Sequence, residues 1–134
     1  MIAVDTSAIV AIAFAEPERP AYLEVVHRTS KALISTVSVV EARVVVYGRR
    51  GQRGIVIIDD VLHLPMFEIV PPGVAELDAA YAAFIAYGKG SGHPANLNFG
   101  DLFAYALAKV RGLPLLFKGN DFAHTDIQSA AASS

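Results

Sequence analysis

The chain has 134 residues, 54% of them hydrophobic, with no cysteine and a formal net charge of −2. That length supports one domain with a sizeable core, and the missing cysteines exclude a disulfide framework and thiolate chemistry. Without a basic excess, any contact with nucleic acid must use a local patch, and no apolar run approaches the ~18 residues of a membrane span.

Met1 to Val4 reads as a short apolar strand that ends in Asp5-Thr6-Ser7, ahead of a helical run from Ala8 to Phe14. The plain role for Asp5 is a helix N-cap, since its carboxylate can accept from free amides of the first turn. The apolar N-terminus lacks a basic leader and carries Asp5 within it, unlike a signal peptide. After the break at Glu16-Pro17-Glu18-Arg19-Pro20, a second helix is expected from about Ala21 to Arg28. Ala32 to Ser35 reads as the second strand, with Thr36 and Ser38 as capping candidates for the next element.

Val37 to Tyr47 has strand-like composition, yet the capping residues before it and Gly48 after it bracket a helix that carries Glu41. Arg49-Arg50-Gly51-Gln52-Arg53 is the dense basic run, either a solvated turn or the flank of a path for a phosphate backbone. Ile55 to Leu64 fits a strand ending at Asp59-Asp60 or a helix ended by Pro65. Phe67 to Val70 is the third strand, and Val74 to Tyr87 a long helix expected to bury Leu77, Ala80, Tyr81, Phe84 and Ile85. Gly88 to Pro94 lacks the strand-loop-helix order of a phosphate cradle and reads as a connector.

Asp101 falls in the first turn of an apolar-periodic helix with Leu102, Phe103, Tyr105, Ala106, Leu107 and Val110 on its stripe. Gly112-Leu113-Pro114 stops it, and Leu115-Leu116-Phe117 is short and apolar as a buried parallel strand should be. Asn120-Asp121 comes next, at that strand's C-terminal end. Residues 129–134 are small and polar, and are expected to fray beyond a domain spanning 1–128.

Strands separated by helices argue a parallel sheet covered on both faces, with right-handed crossovers bringing the strand ends to one edge. Asp5, Glu41, Asp101 and Asp121 all fall at that edge. Four carboxylates there raise one another's pKa unless a partner neutralises them, and a hard divalent cation with oxygen ligands does so. Such ions orient water and offset charge on a phosphodiester, the logic of a metal-dependent nuclease. His27, His63, His93 and His124 have no zinc-site spacing, and Ser7 and Ser35 have no evident base.

The segments MIAVDTSAIVAI, STVSVVEA and NFGDLFAYALAKVRGLPLLFKGNDFAHTDI resemble a PIN domain, and more narrowly the VapC-type toxin ribonucleases of toxin–antitoxin pairs. The resemblance implies a three-layer α/β/α sandwich around a mostly parallel, flavodoxin-like sheet. It implies RNA cleavage dependent on Mg²⁺ or Mn²⁺ in the cytoplasm, with no membrane partner. It also implies inhibition by a cognate VapB-type antitoxin, homodimers within a larger toxin–antitoxin complex, and operator DNA bound only through the antitoxin. By position, Asp5 and Asp101 would be the principal metal ligands. Glu41 and Asp121 would act directly or through water, with Thr6 or Ser7 hydrogen-bonded behind them. Many relatives carry an acid or Asn where this chain has Gly119, which leaves Asp126 as a reserve for Asp121. The resemblance makes Ile55–Leu64 a helix, and exposed apolar residues around Val25, Val40 and Val44 become candidates for partner contacts.

Two other readings stand beside it. A response-regulator receiver domain also holds Mg²⁺ on acids at strand ends, and Asp59-Asp60 with Lys118 imitates its constellation, although its acidic pair belongs after the first strand. A catalytically silent PIN-like module would bind RNA without cutting it.

Overall fold

In the computed structural model, which describes residues 1–131, four strands form one parallel sheet in the order β3-β2-β1-β4. They are β1 (Ile2–Val4), β2 (Ala32–Ser35), β3 (Phe67–Val70) and β4 (Leu115–Leu116). Ile2 lies opposite Ala32, and Ala3 opposite both Leu33 and Leu115. Successive side chains alternate between faces: Ile2, Val4, Ile34 and Leu116 enter one core, and Ala3, Leu33 and Leu115 the other. Both faces are covered, which is why the inner strands read as unbroken apolar runs rather than alternating ones. Each fully buried side chain such as Leu33 or Ile34 contributes about 2 kcal/mol of transfer free energy.

Helices α1 (Thr6–Ala13), α2 (Arg19–Arg28), α3 (Thr36–Arg50) and α4 (Gln52–Leu62) cover the first face. Helices α5 (Val74–Tyr87) and α6 (Phe99–Arg111) cover the second. The layers are therefore α/β/α, as expected. Among the described residues no helix is long and apolar enough to cross a membrane.

The valine-rich segment is a helix because only that geometry buries Val39, Ala42 and Val46 on one stripe. Its cap is Ser35, the last residue of β2, whose hydroxyl accepts from the Val37 amide at 3.2 Å, rather than Thr36 or Ser38. The helix runs through Gly48, the expected stop, and ends at Gly51, so Arg49 and Arg50 occupy its last turn. There they complement the partial negative charge of the helix terminus. Ile55 to Leu62 is helical, and Asp59 pairs outward with Arg43 at 3.2 Å.

Two expectations about burial do not hold. Helix α5 buries its small side chains, Ala80 and Ala83, against α6 and leaves Leu77, Tyr81, Phe84 and Ile85 exposed. Periodicity marks an apolar stripe but not whether the chain itself covers it. Residues 129–131, expected to fray, are instead held at the sheet: Ser129 bridges Leu115 in parallel and the Ala130 amide donates to the Leu115 carbonyl at 2.8 Å. The remainder of that tail, 132–134, lies outside the described residues.

The strand order has a functional consequence. The chain lays down β1, β2 and β3 in one direction and then returns to place β4 on the other side of β1. Ligands of open α/β sheets bind at such a reversal, beyond the carboxyl ends of the two flanking strands. Here those ends deliver Asp5 after β1 and Asp121 after β4, and the Asp5 amide donates to the Leu116 carbonyl at 2.9 Å.

Candidate active site

Asp5 both leaves β1 and caps α1. Its Oδ2 accepts from the Ser7 amide at 3.0 Å and from the Ser7 hydroxyl at 2.6 Å. Its Oδ1 is buried with no hydrogen-bond partner. Burial pushes the Asp5 carboxyl up to about 6 in spite of the Ser7 hydrogen bonds, and the Glu41 charge adds to the rise. A buried acceptor left unpaired is costly, so this oxygen is the atom of the site best disposed to accept a ligand.

Asp101 is set by a reciprocal cap at the start of α6. Asn98 Oδ1 accepts from the Asp101 amide at 2.9 Å, and Asp101 Oδ2 accepts from the Asn98 amide at 3.0 Å. This is a capping box, and it fixes the carboxylate rather than leaving it on a free rotamer. Burial pushes Asp101 up to about 7, with the charges of Asp5, Glu41 and Asp121 adding to it.

Glu41, half-buried on α3, reaches α6 at Gly100. A Cβ on Gly100 would occupy the space of the Glu41 carboxylate, so a larger residue there would push that carboxylate from its present position. Asp121 is exposed beyond β4 and opens the short 3₁₀ turn Phe122–His124. Gly119 has φ +97°, a left-handed conformation that glycine adopts without strain, and Asp121 is the carboxylate that lines the cleft beyond β4.

All four carboxylates line one cleft of about 480 Å³, together with Ser7, Glu16, Arg49, Asn98 and Lys118. Of the two hydroxyls behind Asp5, only that of Ser7 touches the carboxylate. Thr6 Oγ1 instead donates to the Ser38 carbonyl at 2.9 Å and ties α1 to α3. Asp126 is outside the cleft: its oxygens take the Tyr105 hydroxyl and the Lys109 ammonium, each at 2.6 Å, and those two partners hold its carboxyl below the usual range.

The donor set suits a hard divalent cation: oxygen ligands, the Asp5 and Asp101 carboxyls destabilised as anions, and an orphaned buried acceptor. Among the described residues no group of three His, Cys, Asp or Glu side chains is gathered closely enough to hold a metal ion by itself. The carboxylates frame an open cleft instead, which matches the habit of Mg²⁺ to keep several waters.

A family model described as PIN domain matches residues 2–128. The chain belongs to the PIN-domain family. Ribonuclease VapC30 of Mycobacterium tuberculosis is 44% identical over 128 residues, covering 96% of this chain and 97% of that protein. Ribonuclease VapC28 of the same organism is 40% identical over 127 residues, 95% and 96% of the two chains. A crystal structure of M. tuberculosis VapC20, described as a sarcin-ricin loop cleaving toxin, superposes with a TM-score of 0.79 at 14% identity, covering 98% of this chain and all of that one. The Rickettsia felis VapBC2 structure, bound to a promoter DNA fragment, gives 0.75 at 16% identity and 96% coverage of both chains. At such identities the solved structures speak to the fold.

Within this PIN domain Asp5, Glu41, Asp101 and Asp121 share one cleft. Sequence reasoning missed Asn98, Gly100 and Glu16. The Asn-x-x-Asp spacing was a legible capping signal for Asn98. Gly100 and Glu16 had none, because each matters through a neighbour distant in the chain.

Proposed function

We propose that this PIN domain is the ribonuclease toxin of a type II toxin–antitoxin pair and hydrolyses RNA phosphodiester bonds with Mg²⁺, or Mn²⁺, held in the acidic cleft. The observation that carries this reading is the unpartnered Asp5 Oδ1, buried in the same cleft as the high-pKa carboxyl of Asp101. When bound, the cation would acidify a coordinated water and offset charge developing on the phosphodiester. Asp5 and Asp101 would hold it, with Glu41 and Asp121 directly or through water. Ser7 and Asn98 keep the two principal carboxylates in place, and the Gly100 gap admits Glu41.

The partner reading is a small VapB-type antitoxin, a homodimer, a larger complex of the two proteins, and operator DNA reached through the antitoxin, all in the cytoplasm. Apolar residues on α3 beside the cleft, Val40 at 61% and Val44 at 68% exposed, support a partner that seals the site. Val25 is half-buried against the core and supports it less. The exposed stripe of Leu77, Tyr81, Phe84 and Phe99 between α5 and α6, with half-buried Phe103 beside it, supports a second copy. The receiver reading loses its footing, because Asp59-Asp60 sits on the outer helix α4 rather than at a strand end.

The test is incubation of purified, partner-free protein with total RNA in Mg²⁺ or Mn²⁺ and in EDTA. Discrete cleavage with metal and none with EDTA is expected. RNA bound but uncut in both metals would overturn the proposal and favour a silent binding module.

A further inference from the structure

The cleft that holds the acids also holds two cations whose roles the metal chemistry does not use. Lys118 Nζ lies 3.1 Å from Glu16 Oε1 and 3.2 Å from Glu18 Oε1. Arg49 Nη1 lies 3.5 Å from Glu16 Oε2, with its guanidinium 5.7 Å from the centre of the Phe14 ring. Glu16 thus bridges both cations at the rim of a cleft in which five acids outnumber two bases.

An RNA backbone entering this cleft meets excess negative charge even after one divalent cation is bound. Its phosphates need counter-charge, and Arg49 and Lys118 are the two cationic residues lining the cleft. Their present partners, Glu16 for both and Glu18 for Lys118 as well, are poorly suited to keep them. The Arg49 and Lys118 side chains are 52% and 37% exposed, and ion pairs that open to water contribute little, so a phosphate can replace Glu16 at small cost. The Lys118 backbone is also tied to Asp5. Its amide donates to Ser7 Oγ at 2.9 Å, and that hydroxyl donates to Asp5 Oδ2. A phosphate on Lys118 would therefore be set in register with the carboxylate proposed to hold the metal.

We propose that Arg49 and Lys118 form an RNA-phosphate site on the cleft rim and that Glu16 occupies it as an internal anion until RNA displaces it. This rests on the ribonuclease reading for its consequence, since a phosphate placed there positions the strand for cleavage. Arg49 and Lys118 are positioning residues, and Glu16 sets the affinity.

The rival explanation is that the ion pairs merely staple α1, α3 and the β4 loop together. The two differ in sign. Glu16→Gln and Lys118→Met break the same pair, so a staple predicts shifts in one direction. An anion-exchange site predicts opposite directions. The experiment is fluorescence anisotropy of a labelled, degenerate single-stranded RNA with the full-length protein in Ca²⁺, with the thermal midpoint of each variant measured alongside. Lys118→Met and Arg49→Met should each weaken binding about tenfold and reduce the slope of log affinity against log salt by about 0.7. Glu16→Gln should tighten binding roughly two- to fivefold. No binding by the wild-type chain, unchanged affinities, or shifts of the same sign in Glu16→Gln and Lys118→Met would overturn the proposal. Cleavage of total RNA by the wild-type protein in Mg²⁺ or Mn²⁺ is scored separately, so failure of the ribonuclease reading is distinguishable from failure of the rim site.

Discussion

Asp5 and Asp126 are the same residue type in opposite settings. Asp126 sits near the surface with a tyrosine hydroxyl and a lysine ammonium on its two oxygens, and its pKa is lowered. Asp5 is buried, has one oxygen unpaired, meets other acids rather than cations, and its pKa is raised to about 6. Asp126 stabilises the fold by tying the segment after β4 to α6. Burial disfavours the anions of Asp5 and Asp101, and such a cost is expected where a ligand supplies what the chain withholds.

Function should break along this division first. Asp5→Asn or Asp101→Asn should lower RNA cleavage by about 10²-fold or more, whereas Asp126→Asn should leave cleavage at permissive temperature unchanged. Loss of cleavage in Asp126→Asn at temperatures where it is folded would erase the contrast. Next in size, Gly100→Ala should cost about 10- to 100-fold in cleavage, because the new methyl displaces the Glu41 carboxylate. Steady-state rates with folding checked by circular dichroism decide it, and wild-type rates would remove Glu41 from the site.

Stability should then move in opposite directions. Asp5 and Asp101 titrate higher in the folded chain than the usual 3.8, so the folded state holds their protons more tightly. Their contribution to stability is most favourable below about pH 4 and falls as pH rises through 6 to 7. Asp5→Asn should therefore raise the metal-free Tm at pH 8 by on the order of 5 °C, with the gain vanishing toward pH 4. Asp126 has the opposite sign: its stabilisation is present above the usual carboxylate pKa and lost as pH falls through its lowered value. Asp126→Asn should lower Tm at pH 8 by about 2–4 °C, the smallest effect of the set. Thermal melts from pH 4 to 8 test both signs.

Much of this was legible in the chain. Asp5 and Asp101 could be placed because each sits at a helix start marked by local signals, and the residues that cap are the ones proposed to ligate. An N-cap and a metal ligand are compatible roles: Asp5 uses Oδ2 for Ser7 and leaves Oδ1 to the cleft. The valine run of α3 was readable as helix from its brackets, against its composition. What was hidden depends on partners far along the chain. Gly100 packs against Glu41, Asp126 is neutralised by Lys109, and Glu16 is bridged to Arg49 and Lys118. The outward stripe of α5 was misjudged because hydrophobic periodicity reports which face is apolar, and only the packing of Ala80 and Ala83 shows which face is inside.

The most direct measurement is titration of the metal-free protein with Mn²⁺, monitored by electron paramagnetic resonance of the free ion. The wild-type chain and Asp126→Asn should take up Mn²⁺ with equal affinity at pH 8, while Asp5→Asn and Asp101→Asn should bind it at least about tenfold more weakly. Equal uptake by all four proteins would contradict the assignment of the cleft carboxylates as a shared cation site.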